Sequence, residues 1–383
     1  MNDYDQDPVQ TTVGILGGGQ LGRMLSLAGY PLGMRFRHLD PKPGAPTSSL
    51  DEQVQADYDD PEALDEFARG VDVVTYEFEN VPVKSARRLQ EHVDVFPPPE
   101  ALEVAQDRLP EKEFFGDLGM DTAPYRRVDS RDDLNAALAN LGPPAVLKTR
   151  HGGYDGKGQR IIETGADVEE AWEELGGQPL LLEGFVGYDR EVSMLGVRAR
   201  DGETAFYPLV ENHHVQGILY ASHAPAPETE PAVQRKAEEY SRRALEALDY
   251  VGVLAIEFFQ VGDRLLANEM APRVHNSGHW SIEGAETSQF ENHMRAVTGL
   301  PLGLTDPVGH SALVNVLGTI PEIPSVLDIP GAHLHLYEKS PRPRRKLGHV
   351  TVRCDDEREA ADRVKRLHAV LKAEEEARKS AGS

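Results

Sequence analysis

Short apolar runs alternate with helical stretches along the first hundred residues. Three runs are short, apolar and bounded by glycine or polar residues, as strands are: residues 12–17, 34–39 and 71–79. Three stretches between and after them carry apolar residues at helical spacing: residues 20–32, 61–70 and 84–92. Strands that alternate with helices form a parallel sheet covered by those helices, so the pattern predicts a βαβαβ unit.

The rest of the chain divides into a connector and two further units. Prolines at 97–99 break the pattern, and residues 101–119 predict a helical connector with its own break at Pro110. A second unit carries predicted strands at 144–150, 159–163, 179–186, 190–199, 204–212, 251–260 and 264–272, with a helix near 167–175. From about 310, a smaller unit predicts strands at 310–318, 332–338 and 349–354, followed by a charged helix at 356–378.

The first predicted strand runs into a glycine-rich turn that has the dinucleotide-binding spacing. Gly17, Gly19 and Gly22 form G-x-G-x-x-G, and Asp40 follows the second strand about 20 residues later, where it could hold a ribose hydroxyl. Taken alone, this motif favours an NAD-dependent oxidoreductase. That function would not explain the second glycine-rich segment and the paired glutamates described below.

Composition narrows the class of protein. The 40 basic and 64 acidic residues give a net charge of −24, which disfavours binding to nucleic acid or to an anionic membrane. No apolar run approaches the roughly 20 residues of a membrane helix, and the N-terminus is acidic and polar. The one cysteine, Cys354, excludes an internal disulfide. We therefore expect a cytoplasmic protein.

A second glycine-rich segment follows the strand at 144–150. Lys148 lies in that strand, and residues 152–158 contain four glycines and Lys157. Glycine permits positive φ and close backbone approach, so successive N–H groups can surround phosphate oxygens while the lysines supply charge. The segment is not a Walker A loop, because no G-K-[ST] opens a helix. The alternative is a tight hairpin turn with surface lysines.

Two glutamates indicate a cation site. Glu257 and Glu269 lie in apolar strand-like runs, 12 residues apart, which suits neighbouring antiparallel strands joined by a turn at 262–263; Asn268 precedes the second. Two buried acids side by side are costly unless a cation neutralises them, and such oxygen ligands suit Mg²⁺. The alternative is a pair of acids on the solvated face of a hairpin.

Two groups of polar residues follow. Arg273, His275, Asn276 and Ser277 come directly after the second of these strands, and such dense donors can hold a small anion and stabilise its transition state. Lys339, Arg345 and Lys346 cluster near the C-terminus. They indicate a phosphate site or, alternatively, a surface patch.

These motifs together resemble a known family. "GGYDGKGQ" and "NEMAPRVHNSGHW", with "TYEFENVP", "FYPLVEN" and "RPRRKLGH", are similar to the ATP-grasp superfamily and, within it, to the 5-(carboxyamino)imidazole ribonucleotide synthases. The resemblance covers about residues 12–350. It implies an α/β and α+β chain: a Rossmann-like pre-ATP-grasp domain at 1–110, an ATP-grasp domain at 111–309 with its lid at about 111–190 and its metal and catalytic part at 191–309, and a small β-containing C-terminal domain at 310–383.

The resemblance also implies an activity. In this family bicarbonate attacks the γ-phosphate of ATP to give carboxyphosphate, and the carbon dioxide released from it is trapped by the amine of aminoimidazole ribonucleotide. ATP and Mg²⁺ are therefore the implied cofactors, small molecules the implied partners, and a homodimer the implied assembly. By the same resemblance the first glycine-rich motif helps to form the ribonucleotide site and binds no NAD.

Residue by residue, the resemblance implies four sets. The ATP site comprises Arg108, Lys148, Gly153, Tyr154, Asp155, Gly156, Lys157, Gly158, Gln159, Glu183, Gly184, Phe185, Val186, Glu191, His214, Asn268 and Glu269. The catalytic set comprises Arg273, His275, Asn276, Ser277, Tyr154 and Asp155. The ribonucleotide contacts are Gln20, Glu77, Lys339, Arg345 and Lys346. The metal ligands are Glu257 and Glu269. The family usually has glycine at position 344, so Arg344 leaves open which arginine binds the phosphate.

Two further alternatives remain at this point. A formate-dependent glycinamide ribonucleotide transformylase shares the acyl-phosphate chemistry, although "VHNSGHW" favours the carboxylase. A non-catalytic nucleotide-binding regulator would share the fold, although the paired glutamates and the four anion donors argue against it. Sequence alone also leaves open whether His275 or the released phosphate accepts the amine proton.

Overall fold

The N-terminal unit is a parallel sheet with helices packed against it. The computed structural model describes residues 11–153 and 155–381, with side chains as far as residue 372. Its first elements are β1 (Thr12–Leu16), α1 (Gln20–Gly29), β2 (Arg35–Leu39), β3 (Glu52–Val54), α2 (Pro61–Arg69), β4 (Val73–Tyr76), α3 (Val83–Gln90) and β5 (Asp94–Val95). All neighbouring strands pair in parallel in the order β3-β2-β1-β4-β5. The predicted βαβαβ unit is confirmed, and two short edge strands extend it.

Two helices connect this unit to the next: α4 (Pro99–Ala105) and α5 (Arg108–Asp117). The predicted break at Pro110 is wrong, because the break lies at residues 106–107. Asp107 caps α5 by accepting a hydrogen bond from the backbone N–H of Leu109. Pro110 lies in the first turn of α5, where a missing N–H costs nothing.

A four-stranded antiparallel sheet forms the second unit. Its region contains β6 (Asp121–Thr122), β7 (Tyr125–Val128), α6 (Arg131–Leu141), β8 (Ala145–Thr149), β9 (Gln159–Ile162), α7 (Val168–Leu175) and β10 (Leu180–Gly184). The strand order is β7-β10-β8-β9, and the glycine-rich segment at 152–158 joins β8 to β9. Leu134, Leu147 and Leu182 are fully buried between this sheet and its two helices.

The largest sheet has ten strands. The remaining elements are β11 (Arg190–Arg198), β12 (Thr204–Phe206), β13 (Val210–Val215), β14 (Ile218–Ala224), α8 (Pro231–Ala247), β15 (Gly252–Val261), β16 (Arg264–Ala271), α9 (Ser281–Gly284), α10 (Gln289–Thr298), β17 (His310–Leu317), α11 (Ile323–Leu327), β18 (Ala332–Leu336), β19 (Lys346–Cys354) and α12 (Glu357–Ala381). The order is β18-β19-β17-β14-β13-β11-β15-β16-β6, with β12 against β11. The three C-terminal strands thus continue the central sheet through β17. We keep the domain limits at 110 and 309 as a proposal; the first of them lies inside α5.

One hydrophobic core joins the first unit to the largest sheet. Leu25 of α1 and Val73 of β4 belong to the same buried cluster as Trp280, Phe290 and Met294. Because apolar side chains of both units are buried in this one cluster, the hydrophobic effect holds the two units together. Gln20 and Glu77, which follow the central parallel strands β1 and β4, line one cavity with the paired glutamates.

The chain ends in its longest described helix. Ala360, Val364 and Leu367 of α12 pack on the cluster formed by β17 and β19. No helix in the described part of the chain combines the length and the apolar composition needed to cross a bilayer.

Candidate active site

A cavity of about 810 Å³ lies where the three units meet. The predicted residues in its wall are Gln20, Glu77, Arg108, Gly153, Asp155, Lys157, His214, Glu257, Glu269, Arg273, His275, Asn276, Lys339, Arg345 and Lys346. The other predicted site residues that the structure describes do not line the cavity: Lys148, Gly156, Gly158, Gln159, Glu183, Gly184, Phe185, Val186, Glu191, Asn268 and Ser277. Tyr154 lies outside the described residues. The structure therefore gathers motifs that are up to about 300 residues apart in sequence.

The two predicted metal ligands are cross-strand neighbours. β15 and β16 are antiparallel, and Glu257 pairs with Glu269 next to a β-bulge. Burial and the neighbouring Glu269 carboxylate raise the pKa of Glu257. Although burial opposes it, the Arg108 guanidinium lowers the pKa of Glu269, and its Nη1 donates to Glu269 Oε2 at 2.8 Å.

This arrangement fits a divalent cation. Both carboxylates face one cavity, and Arg108 is ion-paired with Glu269, whereas the ion-pair partner of Glu257 among the described residues is His275. A divalent cation would offset the repulsion between the two carboxylates. Asn268 Oδ1 is buried without a hydrogen-bond partner among the described residues, which leaves a further oxygen beside the pair. Carboxylate and amide oxygens are the ligands that Mg²⁺ prefers.

Lys112, which sequence reasoning missed, joins the predicted residues Lys148 and Glu183 in a buried ionic network. Lys112 of α5 is fully buried and donates to the carbonyl oxygens of Asn268, at 2.8 Å, and Ala267, at 3.3 Å. Its Nζ lies 3.5 Å from Glu183 Oε1, and Lys148 Nζ donates to the other oxygen of Glu183 at 2.9 Å. The network ties β10 and β8 of the small sheet to β16 of the large one.

Glu111 is the second residue that sequence reasoning missed. It is buried, lines the cavity and accepts a hydrogen bond from the backbone N–H of Met270 at 2.7 Å. Burial and Glu269 raise the pKa of Glu111. Glu111 and Lys112 precede the buried Phe115 by four and three residues, and this helical spacing is the signal that could have placed both on the buried face of α5.

The four predicted anion donors have different surroundings. Arg273 Nε donates to Glu79, a cavity residue that sequence reasoning also missed, at 2.5 Å. Asn276 exchanges amide hydrogen bonds with Asn315, at 3.1 and 2.8 Å. Ser277 is fully buried outside the cavity wall, and its hydroxyl lies 2.9 Å from His275 Nδ1. Ser277 therefore orients His275 in this structure.

His275 is held as a neutral imidazole. Burial, with the charges of Arg273 and Lys346, lowers the pKa of His275 to about 3. Its Nε2 lies 3.3 Å from Glu257 Oε1. The ring thus lies between Ser277, which is 2.9 Å from its Nδ1, and the carboxylate of Glu257.

The dinucleotide motif is occupied by the chain itself. The backbone N–H groups of Gly19 and Gly22, at the start of α1, donate to the two carboxylate oxygens of Glu77, the second at 2.7 Å. The N–H of Gly18 donates to Asp40 at 2.9 Å. Gly17 has φ +109°, and a Cβ there would lie 2.4 Å from Glu77 Cγ. Glu77 thus takes the place that a pyrophosphate takes at such a helix N-terminus.

Cations converge on the opposite side of the cavity. Burial and the nearby Arg345 lower the pKa of Lys339 to about 8. Arg345 Nη1 donates to the carbonyl and the hydroxyl of Ser340, at 3.1 and 3.0 Å. Lys346 Nζ donates to Asp155 at 3.0 Å, so the glycine-rich segment reaches this cationic group. The group has the charge and the donors that a phosphate monoester requires.

Arg344 bridges the mouth of the cavity. Its φ of +64° lies in the left-handed region that glycine adopts without strain. Its Nη2 donates to the carbonyl oxygen of Gln216 at 3.0 Å, at the tip of the β13–β14 hairpin. Both Arg344 and Arg345 line the cavity, and Arg344 is the one of the two whose side chain is hydrogen-bonded to this tip in the described part of the chain.

The hairpin tip also packs against the glycine-rich segment. A Cβ on Gly217, where φ is +76°, would lie 2.5 Å from Gly156 Cα. We expect Gly217→Ala to lower the melting temperature by roughly 2 °C or more, since strain of about 1–2 kcal/mol accompanies both the positive φ and the backbone clash. It should also weaken ATP binding several-fold by displacing the segment, as measured by titration calorimetry.

Gly262→Ala is the matched control for this prediction. Gly262 has φ +59° in the β15–β16 turn, and a Cβ there would meet nothing within 4 Å. It carries the backbone strain without the clash, so it should shift the melting temperature less and leave ATP affinity unchanged. Equal effects of the two substitutions would contradict a close packing of residues 156 and 217.

Three family models match successive parts of the chain. Residues 10–106 match the ribonucleotide synthetase preATP-grasp domain, residues 113–290 the ATP-grasp domain, and residues 311–363 the phosphoribosylaminoimidazole carboxylase C-terminal domain. A Pseudomonas aeruginosa N5-carboxyaminoimidazole ribonucleotide synthase is 53% identical over 94% of this chain and 99% of that protein. The chain belongs to the N5-carboxyaminoimidazole ribonucleotide synthase family. The predicted ATP-grasp fold with its N- and C-terminal domains is thereby confirmed.

Solved structures of N5-carboxyaminoimidazole ribonucleotide synthases have the same fold. The Thermus thermophilus synthetase superposes with a TM-score of 0.90 at 58% identity, covering 94% of this chain and 98% of that one. The Aspergillus clavatus synthase, solved with ADP and 5-aminoimidazole ribonucleotide, gives a TM-score of 0.89 at 32% identity, covering 95% and 99%. The chain is an ATP-grasp ligase of purine biosynthesis that carboxylates aminoimidazole ribonucleotide with the use of ATP.

Proposed function

We propose that the chain carboxylates the exocyclic amine of 5-aminoimidazole ribonucleotide with bicarbonate, through carboxyphosphate. A bicarbonate oxygen attacks the γ-phosphorus of ATP and ADP leaves. Carboxyphosphate then releases carbon dioxide and phosphate, and the amine nitrogen attacks the carbon dioxide and loses a proton. The observation that carries this proposal is that one cavity of about 810 Å³ is lined by the glutamate pair, by the anion donors Arg273, His275 and Asn276, and by the cationic group.

The ATP site is proposed at the seam of the two antiparallel sheets. Lys148, fixed by Glu183, and Arg108, fixed by Glu269, would contact phosphate oxygens together with the N–H groups of the segment at 153–159. The adenine is proposed to lie against Glu183, Gly184, Phe185 and Val186, where Phe185 is half exposed. The backbone N–H groups of Gly184 and Phe185 donate to the carbonyl oxygens of Pro124 and Pro144, so the adenine edge would be met by the N–H of Val186 and by backbone carbonyl oxygens. Glu191 and His214 would hold the ribose hydroxyls, and Asn268 lies beside the phosphates.

Glu257 and Glu269 are the proposed Mg²⁺ ligands. When bound there, the ion would neutralise the charge of the ATP phosphates during phosphoryl transfer. Burial and the charge of Glu269 raise the pKa of Glu257 in this structure. A bound cation would also offset the repulsion between the two carboxylates.

Bicarbonate and carboxyphosphate are proposed to lie between the glutamate pair and Arg273. Arg273, aligned by Glu79, supplies charge, and His275, oriented by Ser277, supplies a neutral ring nitrogen. Asn276 is paired with Asn315, so it would contribute by fixing the turn that carries His275.

The ribonucleotide is proposed to bind with its phosphate at Lys339, Arg345 and Lys346. Asp155, which accepts a hydrogen bond from Lys346, would face the substrate from the glycine-rich segment. Gln20 and Glu77 line the cavity at the start of α1 and are proposed as contacts to the imidazole ribonucleotide. Because Asp155 contacts Lys346 and Gly156 packs against the hairpin tip, this segment would cover the cavity and exclude water from carboxyphosphate.

ADP release tests this proposal directly. Purified protein with Mg·ATP and bicarbonate is assayed with and without aminoimidazole ribonucleotide, in parallel with formate plus glycinamide ribonucleotide. We expect turnover that requires both bicarbonate and the imidazole. Turnover with the formate pair alone would overturn the substrate assignment, and no turnover with either pair would favour the nucleotide-binding regulator.

We further propose a cytoplasmic homodimer. The buried, unpaired Cys354 is compatible with a reducing compartment. Light scattering coupled to size exclusion should give about twice the chain mass of 42.2 kDa, and a single chain mass would contradict the dimer.

A further inference from the structure

Three neighbouring strands bring a second set of cation ligands together beside the glutamate pair. Glu191 of β11, His214 of β13 and Glu257 of β15 each offer one ligand atom, and these atoms all lie within 4.8 Å of one another. All three residues are partly buried. The set therefore combines one imidazole nitrogen with two carboxylate oxygens.

Sheet irregularities create this cluster. Glu191 pairs with Asn212 on β13, and a bulge between His213 and His214 then shifts the register of β13 against β14. Bulges re-aim side chains, and this one places consecutive histidines in different surroundings. His214 lies 2.8 Å from Glu191 and lines the cavity, whereas half of the His213 side chain is exposed beside Glu211.

The cluster has the donors of a transition-metal site. Nδ1 of His214 is buried and makes no well-aligned hydrogen bond within the described part of the chain, although Glu191 Oε2 is 2.8 Å away. Imidazole nitrogen together with carboxylate suits Zn²⁺, Co²⁺ and Mn²⁺, whereas Mg²⁺ prefers oxygen ligands alone. Tetrahedral Zn²⁺ would take these three ligands and leave a fourth position for water.

We propose that Glu191, His214 and Glu257 form a binding site for a divalent transition metal such as Zn²⁺. The site uses Glu257, one of the proposed Mg²⁺ ligands, and two residues of the proposed ATP site. Bound Zn²⁺ and bound Mg·ATP therefore exclude each other, so that Zn²⁺ is a competitive inhibitor with respect to Mg·ATP. This last step rests on the proposed function, whereas metal binding itself does not.

Metal binding is tested on the nucleotide-free protein. We expect one Zn²⁺ per chain by titration calorimetry, and a visible absorption spectrum when Co²⁺ is added instead. His214→Asn should weaken Zn²⁺ binding by at least about 10-fold, and Glu191→Gln, which provides a second variant if the first fails to fold, should do the same. His213→Asn, which alters the exposed histidine–glutamate pair next to the site, should bind Zn²⁺ like the wild type.

Two results would overturn the site. In the first, the wild-type protein binds no Zn²⁺ at micromolar concentration. In the second, His213→Asn loses Zn²⁺ binding, whereas the folded His214→Asn and Glu191→Gln variants bind Zn²⁺ like the wild type. Circular dichroism of each variant shows that it is folded.

Competition is tested separately, with free Zn²⁺ held constant by a chelator buffer. We expect the apparent KM for Mg·ATP to rise with free Zn²⁺ while kcat stays unchanged. His214-dependent Zn²⁺ binding without competition would overturn the inhibition and contradict the proposed ATP position, while leaving the metal site in place. Absence of Zn²⁺ binding from an active carboxylase would overturn this inference alone.

Discussion

Replacement of Glu269 by glutamine is expected to lower kcat for ADP formation by about 100-fold or more, at saturating ATP, bicarbonate and ribonucleotide. Glutamine keeps the size of the side chain but removes the negative charge that would hold Mg²⁺ beside Glu257. It also removes the charge partner of Arg108, which lies 2.8 Å away. The lost ligand charge and the lost partner of Arg108 both act where the phosphoryl group is transferred. The substitution should therefore lower kcat and not only raise KM.

Glu239→Gln is the matched control. Glu239 forms an exposed pair with Arg243 on α8, so its replacement should leave kcat unchanged. The melting temperature of Glu269→Gln should stay close to the wild type, because 40% of the Glu269 side chain is exposed to the cavity. A folded Glu269→Gln protein with wild-type kcat at the same Mg²⁺ concentration would contradict the proposed metal site.

The glutamate pair shows what sequence can predict. Glu257 and Glu269 are 12 residues apart around a turn, so the sequence predicts that they lie on neighbouring antiparallel strands. The turn alone would place Asn268 opposite Glu257, and the β-bulge next to Glu257 shifts the register so that Glu269 takes that position. The parallel sheet of the first unit was predictable in the same way, since alternating strands and helices leave few topologies. Periodicity does not reveal β3 and β5, because strands of three and two residues carry no repeat.

The position of the C-terminal strands was not predictable from local pattern. β17 pairs with β14, which ends 86 residues earlier in the chain, and this pairing merges the tail with the central sheet. Nothing in the alternation of β17 distinguishes this partner from another strand. Long-range pairing of this kind is decided by tertiary packing.

The contacts of Glu77 within the site also could not be predicted from local sequence. The sequence places it after a strand and near a glycine motif, which is compatible with a ribonucleotide contact. The structure uses its carboxylate to satisfy the amides at the start of α1, more than 50 residues away in sequence. The G-x-G-x-x-G spacing reports a tight strand-to-helix turn with an anion at the helix N-terminus, and it does not reveal whether that anion is a ligand or a side chain.

Replacement of Lys112 by methionine is expected to lower the free energy of unfolding by about 3 kcal/mol, since removal of one partner from a buried ionic network leaves charge uncompensated. Methionine has a similar length and keeps the volume, but it cannot donate to the carbonyl oxygens of Ala267 and Asn268 or neutralise Glu183. Lys148 still pairs with Glu183, which limits the loss. Denaturant titration followed by fluorescence measures the change.

A double-mutant cycle separates this ionic effect from lost packing. Glu183→Gln removes the charge that Lys112 compensates, so the double variant should lose less stability than the sum of the two single variants. Lys84→Met is the control for loss of an exposed lysine, since Lys84 and Asp59 form a surface pair at 3.2 Å, and it should change stability by less than about 0.5 kcal/mol. Strict additivity in the cycle would mean that Lys112 acts through its two carbonyl contacts alone. A coupling between Lys112 and Glu183 would instead show that the contact between α5 and β10 is ionic. Glu183→Gln should then also weaken ATP binding, because Glu183 fixes Lys148.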